Sequence, residues 1–251
     1  MRPASSWIEA AARRGILSSH YPREAATSDE VPETARAPAA DPRLPRVPDG
    51  AGICPVGAIA PGGIDQGLCI RCARCVREGY RFSGPVEATR FRREDLLEPR
   101  DAPAVRTEAD GPLRALGRSI HVFLVDVGSC NACNLEVTAI ASPYYDATRL
   151  GIFFTNSPRH ADVLLVVGVP TAAMVEPVRR AYDALPSPKA VLAVGACPIS
   201  GGVFRGTPGL AASLGDVVPV DAFVPGCPPT PINVLDGLLR LAGRGRPREA
   251  P

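Results

Sequence analysis

The sequence predicts an α/β protein, a doubly wound and mostly parallel sheet preceded by a small cysteine-bearing module. Three observations predict it. From Ser119 onward, short apolar runs rich in β-branched residues alternate with helical patterns. The 251 residues are enough for one or two domains of roughly 100–200 residues each. Eight cysteines fall into two groups of four, one ahead of the alternating region and one inside it.

Composition narrows the class further. Hydrophobic residues make up 45% and charged residues 22%, which excludes wholesale disorder. With 28 Pro and 24 Gly the chain is too broken for a simple helical bundle, and with 5% aromatics its core must be built from Val, Leu, Ala and Ile. A formal charge of +2, with Lys189 the only lysine, leaves no footprint of a nucleic-acid binder. The opening MRPASSWIEAAARRG lacks the apolar segment of a secretory signal. The uncharged stretches Val163–Val175 and Ala190–Phe204 fall short of the ~18 apolar residues of a membrane helix. A protein of the cytoplasm is therefore expected, with any membrane contact made through partners.

Taken in order, residues 1–50 read as a leader and linker, Pro/Ala/Arg-rich from Glu24 to Gly50 and suited to wrapping a partner. Residues 51–86 form the first cysteine module. It reads C54-P-V-G-A-I, then C69-I-R-C72-A-R-C75. Cysteines at i, i+3 and i+6 let one tight loop aim three thiolates at three corners of a cube. A structural zinc site, the main rival, prefers separated Cys-x-x-Cys pairs and gains nothing from the third. Bacterial ferredoxins run C-x2-C-x2-C-x3-C-P, their Cys-Pro cysteine serving the other cluster. Here the first triplet and the second Cys-Pro are missing, leaving one ligand set for one 4Fe–4S cluster. Residues 7–80 resemble the bacterial-type ferredoxin subunits of group 4 membrane-bound NiFe hydrogenases and formate hydrogenlyase. The leader G15-I-L-S-S-H-Y-P22 resembles their short docking stretch.

Residues 87–118, of mixed charge, read as a second linker or arm. Residues 119–243 carry the sheet. Its expected strands are Ile120–Val127, Leu150–Thr155, Val163–Val169, Ala190–Val194 and Val217–Val224, and its expected helices Leu135–Ser142, Thr171–Leu185 and Pro231–Ala242. Cys130 and Cys133 follow the first strand, Cys197 the fourth and Cys227 the fifth. Ligands of open α/β sheets bind outside the carboxyl ends of the strands. Cysteines distant in sequence thus converge on one crevice. The bland alternative makes Cys130 and Cys133 buried core thiols, and a disulfide framework belongs to small secreted scaffolds. The tail, 244–251, with R244-G-R-P-R248, reads as solvated.

Four blocks, G128-S-C-N-A-C-N-L-E136, S157-P-R-H-A-D162, G195-A-C-P-I-S-G-G-V-F204 and P219-V-D-A-F-V-P-G-C-P-P-T-P231, resemble the small subunit of group 4 NiFe hydrogenases and its homologue, the 20 kDa-type subunit of respiratory complex I. The complex I homologues carry adjacent cysteines, whereas Cys130-x-x-Cys133 favours the hydrogenase branch. Ala132 and the PISGG after Cys197 depart from the pattern without removing a ligand. The resemblance implies a flavodoxin-like sheet behind a ferredoxin-like iron–sulfur module, with a proximal 4Fe–4S cluster on Cys130, Cys133, Cys197 and Cys227. Together with Cys54, Cys69, Cys72 and Cys75 that makes two clusters passing single electrons, and no NiFe centre in this chain. It implies as partners a large catalytic subunit, holding either NiFe or a quinone cavity, an electron donor or acceptor subunit, and indirectly the membrane arm. The complex would lie on the inner face of the cell membrane. The rivals are a quinone-reducing subunit of the complex I 20 kDa type and a stand-alone iron–sulfur regulatory or assembly protein.

Other residues carry paired readings. Glu136 opens the first helix, as an acidic residue favourable at a helix N-terminus or, by resemblance, as a proton relay at the large-subunit interface. Arg159 either tunes the cluster by hydrogen bonding or pairs with Asp162. His160 reads as structural, His20 and His121 lack a metal-binding neighbour, and Asp221 reads as a turn-fixing carboxylate.

Overall fold

The computed structural model of the protein describes residues 18–32, 35–36, 39–40, 52–60, 63–82, 87–99, 111–117 and 119–245. In the amino-terminal part, β1 (Ala39–Ala40) pairs antiparallel with β4 (Tyr80–Arg81), while β2 (Ile59–Ala60), β3 (Gly63–Asp65) and β5 (Leu97–Pro99) form a small antiparallel sheet. The main sheet holds β6 (Ile120–Asp126), β7 (Ile152–Phe154), β8 (Val163–Val167), β9 (Ala190–Val194) and β10 (Ala222–Val224). Its pairs are all parallel, in the order β10-β9-β8-β6-β7. The first strand thus lies between the second and third, which is the flavodoxin-like order, with its switch point between β6 and β8. The predicted fold class is met.

The central strands are buried on both faces and read as unbroken runs, VLLVV in β8 and AVLAV in β9. Alternate residues point to opposite layers. Val163, Leu165 and Val167 pack with Val137 of α1 (Ala132–Ala139) and Leu235 and Leu238 of α4 (Pro231–Leu241). Leu164 and Val166 pack with Val178 of α2 (Ala172–Ala184) and Ile199 of α3 (Ala196–Ser200). Pro231 at the start of α4 and Thr230, whose Oγ1 accepts from the Asn233 amide at 3.4 Å, define that helix's entry.

Two elements differ from the expected spans by three residues or more. The first helix begins at Ala132, ahead of Leu135, because left-handed Asn131 (φ 72°) ends the loop there. The last strand is confined to Ala222–Val224. Ser213 and Asp216 cap a short 3-10 turn, and Pro219, which has no amide to give a ladder, holds the run before β10 out of the sheet.

Segments expected to be arms are built onto this chain itself. Tyr21, Val31 and Leu113 are buried in the core layer that holds α4. Within the 87–118 stretch, Leu97–Pro99 completes the small sheet, and Arg90 exchanges backbone bonds with Phe223 of edge strand β10 at 2.9 and 2.7 Å. Arg90 is buried against Glu98 (2.9 Å), and Arg93 grips Asp65 with two bonds of 3.0 and 2.6 Å. Paired charges of this kind can be buried and ordered, whereas composition alone counts them as solvent-loving. Further ties join the modules: Ser200 Oγ donates to the Gly67 carbonyl at 2.7 Å, and the Ala88 amide to Asn233 Oδ1 at 3.1 Å. The start of the leader block, G15-I-L17, and the tail from Arg246 lie outside the described residues. Among the described residues no helix is long and apolar enough to cross a membrane.

Candidate metal centres

Cys54, Cys69, Cys72 and Cys75 line one apolar pocket with Ile59, Ile64 and Phe82. Local bonds aim them. The Ala58 amide donates to Cys54 Sγ at 3.2 Å and the Arg71 amide to Cys69 Sγ at 3.4 Å. Arg71 (φ 53°) and Ala73 (φ 63°) flank Cys72 in the left-handed region, which costs a non-glycine residue about 1–3 kcal/mol. That backbone curls the loop inward and presents Cys75 on the 3-10 turn Arg74–Glu78.

The second set gathers at the carboxyl ends of the main strands. At the switch point the loops after β6 and β8 touch backbone to backbone: a Cβ on Gly168 (φ 87°) would stand 2.7 Å from Gly128 C and Ser129 N. The Asp126 carboxylate then fixes the loop that carries Cys130 and Cys133. It accepts from the Gly128 and Ser129 amides (both 2.9 Å), Ser129 Oγ (2.7 Å) and Asn134 Nδ2 (2.6 Å). Burial works to raise the Asp126 carboxyl, but these bonds outweigh it and hold it below its ordinary value. Cys197 rides on α3 after β9, and Cys227 follows β10.

The four thiols sense one another. Burial pushes Cys133 up to about 12, with Cys197, Cys227, Cys130 and Glu136 adding to the rise. Cys197 is pushed up to about 11 by burial, then by Cys227 and Cys130. In the first set burial takes Cys69 up to about 11, the Arg71 amide and charge opposing it and Cys75 and Cys54 adding to it. Such thiols stay protonated until a cation replaces their protons. All eight cysteines stand as free thiols.

The donor set fits an iron–sulfur group. Each site offers four thiols and no competing ligand type, and the first is an apolar pocket already shaped around them. Among the described residues, no three His, Cys, Asp or Glu converge closely enough for a single ion. Room is also kept at Gly195 (φ 97°), where a Cβ would stand 2.7 Å from Cys133 Sγ.

The remaining candidates separate. Glu136 lies one turn inside α1 rather than at its start, half-buried, with burial raising its carboxyl. Its charge reaches Cys133, so a helix-terminus role is removed and a place beside the second set is kept. Arg159 is exposed and distant from it. Val122 pairs with both Phe154 and Val163, so the turn Pro158–His160 crosses at the level of Val122. The cysteine loop leaves the sheet four residues further on, past Asp126, roughly 13 Å along a strand. The register gives cluster tuning by Arg159 no support, and the partner of Asp162 is His121, whose amide it accepts at 2.7 Å with Nδ1 at 3.5 Å. Asp221 accepts the Val191 amide at 2.7 Å, in keeping with a turn-fixing carboxylate. His20 is exposed beside Glu24 (3.9 Å) and His160 is exposed. Sequence reading passed over Asp126, although an aspartate closing a strand ahead of Gly-Ser is a turn-capping signal. It also passed over Arg71, for which only the spacing within C69-I-R-C72 gave any sign.

Much of this chain is similar to known proteins. Residues 130–241 match the family described as NADH ubiquinone oxidoreductase, 20 Kd subunit. A probable membrane-bound hydrogenase subunit of Pyrococcus furiosus is 49% identical over 124 residues, 49% of this chain and 74% of that protein. Formate hydrogenlyase subunit 7 of Escherichia coli K12 is 42% identical over 159 residues, 59% of this chain and 62% of that protein. An NADH-quinone oxidoreductase subunit of Desulfovibrio desulfuricans is 42% identical over 134 residues, 52% of this chain and 72% of that protein.

Proposed function

This chain is a member of the family of NADH ubiquinone oxidoreductase 20 kDa subunits, and we propose that it is the electron-transfer subunit of a membrane-associated, hydrogenase-type oxidoreductase complex. One observation carries the reading: Cys130 and Cys133, Cys197, and Cys227 follow three strands of one sheet, β6, β9 and β10, at its carboxyl end, where Gly195 keeps room beside Cys133 Sγ. Bound there and at Cys54, Cys69, Cys72 and Cys75, two 4Fe–4S clusters supply one-electron oxidation and reduction. The protein's share is to hold the thiolates, keep water from the buried ones and set the local charge. The two sets use all eight cysteines of the sequence, so the substrate chemistry belongs to a large subunit.

Where that subunit docks is suggested by exposed apolar side chains around the second set. Leu135, Val203 and Phe204 are 64, 59 and 37% exposed, and lie close in sequence to Cys133 and Cys197. Glu136 stands on the same helix as Leu135, beside Cys133, and is the proton-carrying candidate on this face. The Cys130-x-x-Cys133 spacing favours a hydrogenase partner. A quinone-reducing role of the complex I type is the second reading, supported by the likeness to the Desulfovibrio protein.

Anaerobic purification of the full chain with its large subunit tests both. About eight iron and eight acid-labile sulfide per chain are expected, falling to about four with either Cys72→Ser or Cys197→Ser. Hydrogen-dependent reduction of a one-electron dye by that complex marks the hydrogenase reading, and quinone reduction without it the second. Zinc in place of iron overturns both.

A further inference from the structure

Between the two cysteine sets lies Arg71. Its backbone amide donates to Cys69 Sγ at 3.4 Å, and its side chain reaches across the module boundary, where Nη2 donates to the Pro225 carbonyl at 3.3 Å. Pro225 stands two residues before Cys227. Nη1 is fully buried and has no hydrogen-bond partner among the described residues. The charges that act on the guanidinium are Cys69 of one set and Cys227 of the other. A guanidinium keeps its charge in proteins, and a buried charge without a carboxylate is costly unless anions stand near it. Among the described residues, the groups whose negative charge acts on it are Cys69 and Cys227, which carry that charge once a cation has replaced their protons. Arg71 is held in this place by a left-handed backbone (φ 53°) that a non-glycine residue adopts at a cost.

We propose that Arg71 is a positioning and charge-setting residue shared by both cysteine sets, latching the Cys69–Cys75 loop onto the Pro225–Cys227 loop and presenting one positive charge to both clusters at once. This rests on the reading of both sets as cluster ligands. A cluster becomes more negative when it takes up an electron, so a nearby fixed positive charge favours its reduced state and raises its potential. One residue then moves both potentials in the same direction together.

The test is an anaerobic redox titration, followed by EPR, of the full-length chain in complex with its large subunit, with iron counted on the same samples. Arg71→Gln removes the charge; Arg71→Lys keeps it and loses the fork. In Arg71→Gln both midpoints are expected to move to more negative values at unchanged iron content, and in Arg71→Lys both are expected to move less. A shift of only one midpoint, no shift, or equal shifts in the two variants overturns the proposal. If Arg71→Gln loses iron, Arg71→Lys decides: full iron and both midpoints near the parent's support the shared charge, and loss of iron there too overturns it. A parent protein with fewer than two cluster signals would instead overturn the underlying cluster assignment.

Discussion

The phenol of Tyr21 donates a 2.9 Å hydrogen bond to the carboxylate of Asp236, across 215 residues of sequence. Asp236 is fully buried in α4 and also accepts from Arg240 Nε at 2.7 Å. The leader is thereby pinned to the last helix. Burial, and then the Asp236 charge, raise the Tyr21 phenol far above its ordinary value, so it stays protonated and keeps its proton to donate. Tyr21→Phe keeps the packing and deletes one bond to a charged acceptor, so a loss of about 1.5–3 kcal/mol is expected. Urea unfolding of the full chain measures it, and an unchanged midpoint would show the bond to be dispensable.

Asp126 predicts a dependence on acid. Its folded carboxyl lies below the ordinary value, so the folded state binds a proton less readily than the unfolded one. The stability it contributes is present above the unfolded value near pH 4 and is lost as pH falls through the lower folded value. Asp126→Ala should be less stable by on the order of 1 kcal/mol at pH 7, the scale of a lost capping side chain. That gap should narrow as the pH falls from 7 through the unfolded value and on through the lower folded value. A gap of constant size across that range contradicts the assignment.

Gly195→Ala places a methyl where only 2.7 Å separates it from Cys133 Sγ, at a φ of 97°. The thiol must move, and it is walled in by the buried β9–α3 turn. Iron is expected to fall from about eight to about four per chain, with the ferredoxin-type EPR signal kept. Full iron in this variant would mean that Cys133 is not held where the sheet puts it.

Glu136→Gln separates proton transfer from electron transfer. Glutamine keeps the shape and the hydrogen-bonding reach, and cannot release a proton. Iron content and complex assembly are expected to be intact, with a large loss of coupled turnover in the purified complex. Because Glu136 sits inside α1 rather than at its first turn, the small stability loss of a helix-dipole role is not expected. Normal turnover would leave the clusters assigned and the carboxyl without a catalytic part.

The sheet was legible because buried parallel strands are spelled as continuous apolar runs, as in Val163–Val167 and Ala190–Val194. The cysteine sets were legible through spacing and through their places after strands. What stayed hidden depends on register or on single long-range bonds. Arg159 read as a hydrogen-bond donor to the cluster region, yet β7 pairs only with the first half of β6, which leaves its turn at the level of Val122. The bonds Arg71–Pro225 and Ser200–Gly67 join segments with no shared pattern. Mixed charge made residues 87–99 look like linker, because composition does not reveal that Arg90 finds Glu98 and Arg93 finds Asp65.

The ties from the amino-terminal module to Phe223, Pro225 and Asn233 impose an order on biosynthesis. Arg71 leaves the ribosome 154 residues before the carbonyl it will hold, a delay of about 8–30 s at ordinary elongation rates. Throughout that interval the Cys69–Cys75 loop lacks its tie to the Pro225 carbonyl, and the second set lacks Cys227. The first pocket, lined by residues 54–82, is by then fully synthesised, whereas the second set is completed only by the arrival of β10 and the turn after it. A product truncated before that turn would keep the first set and leave the second site open.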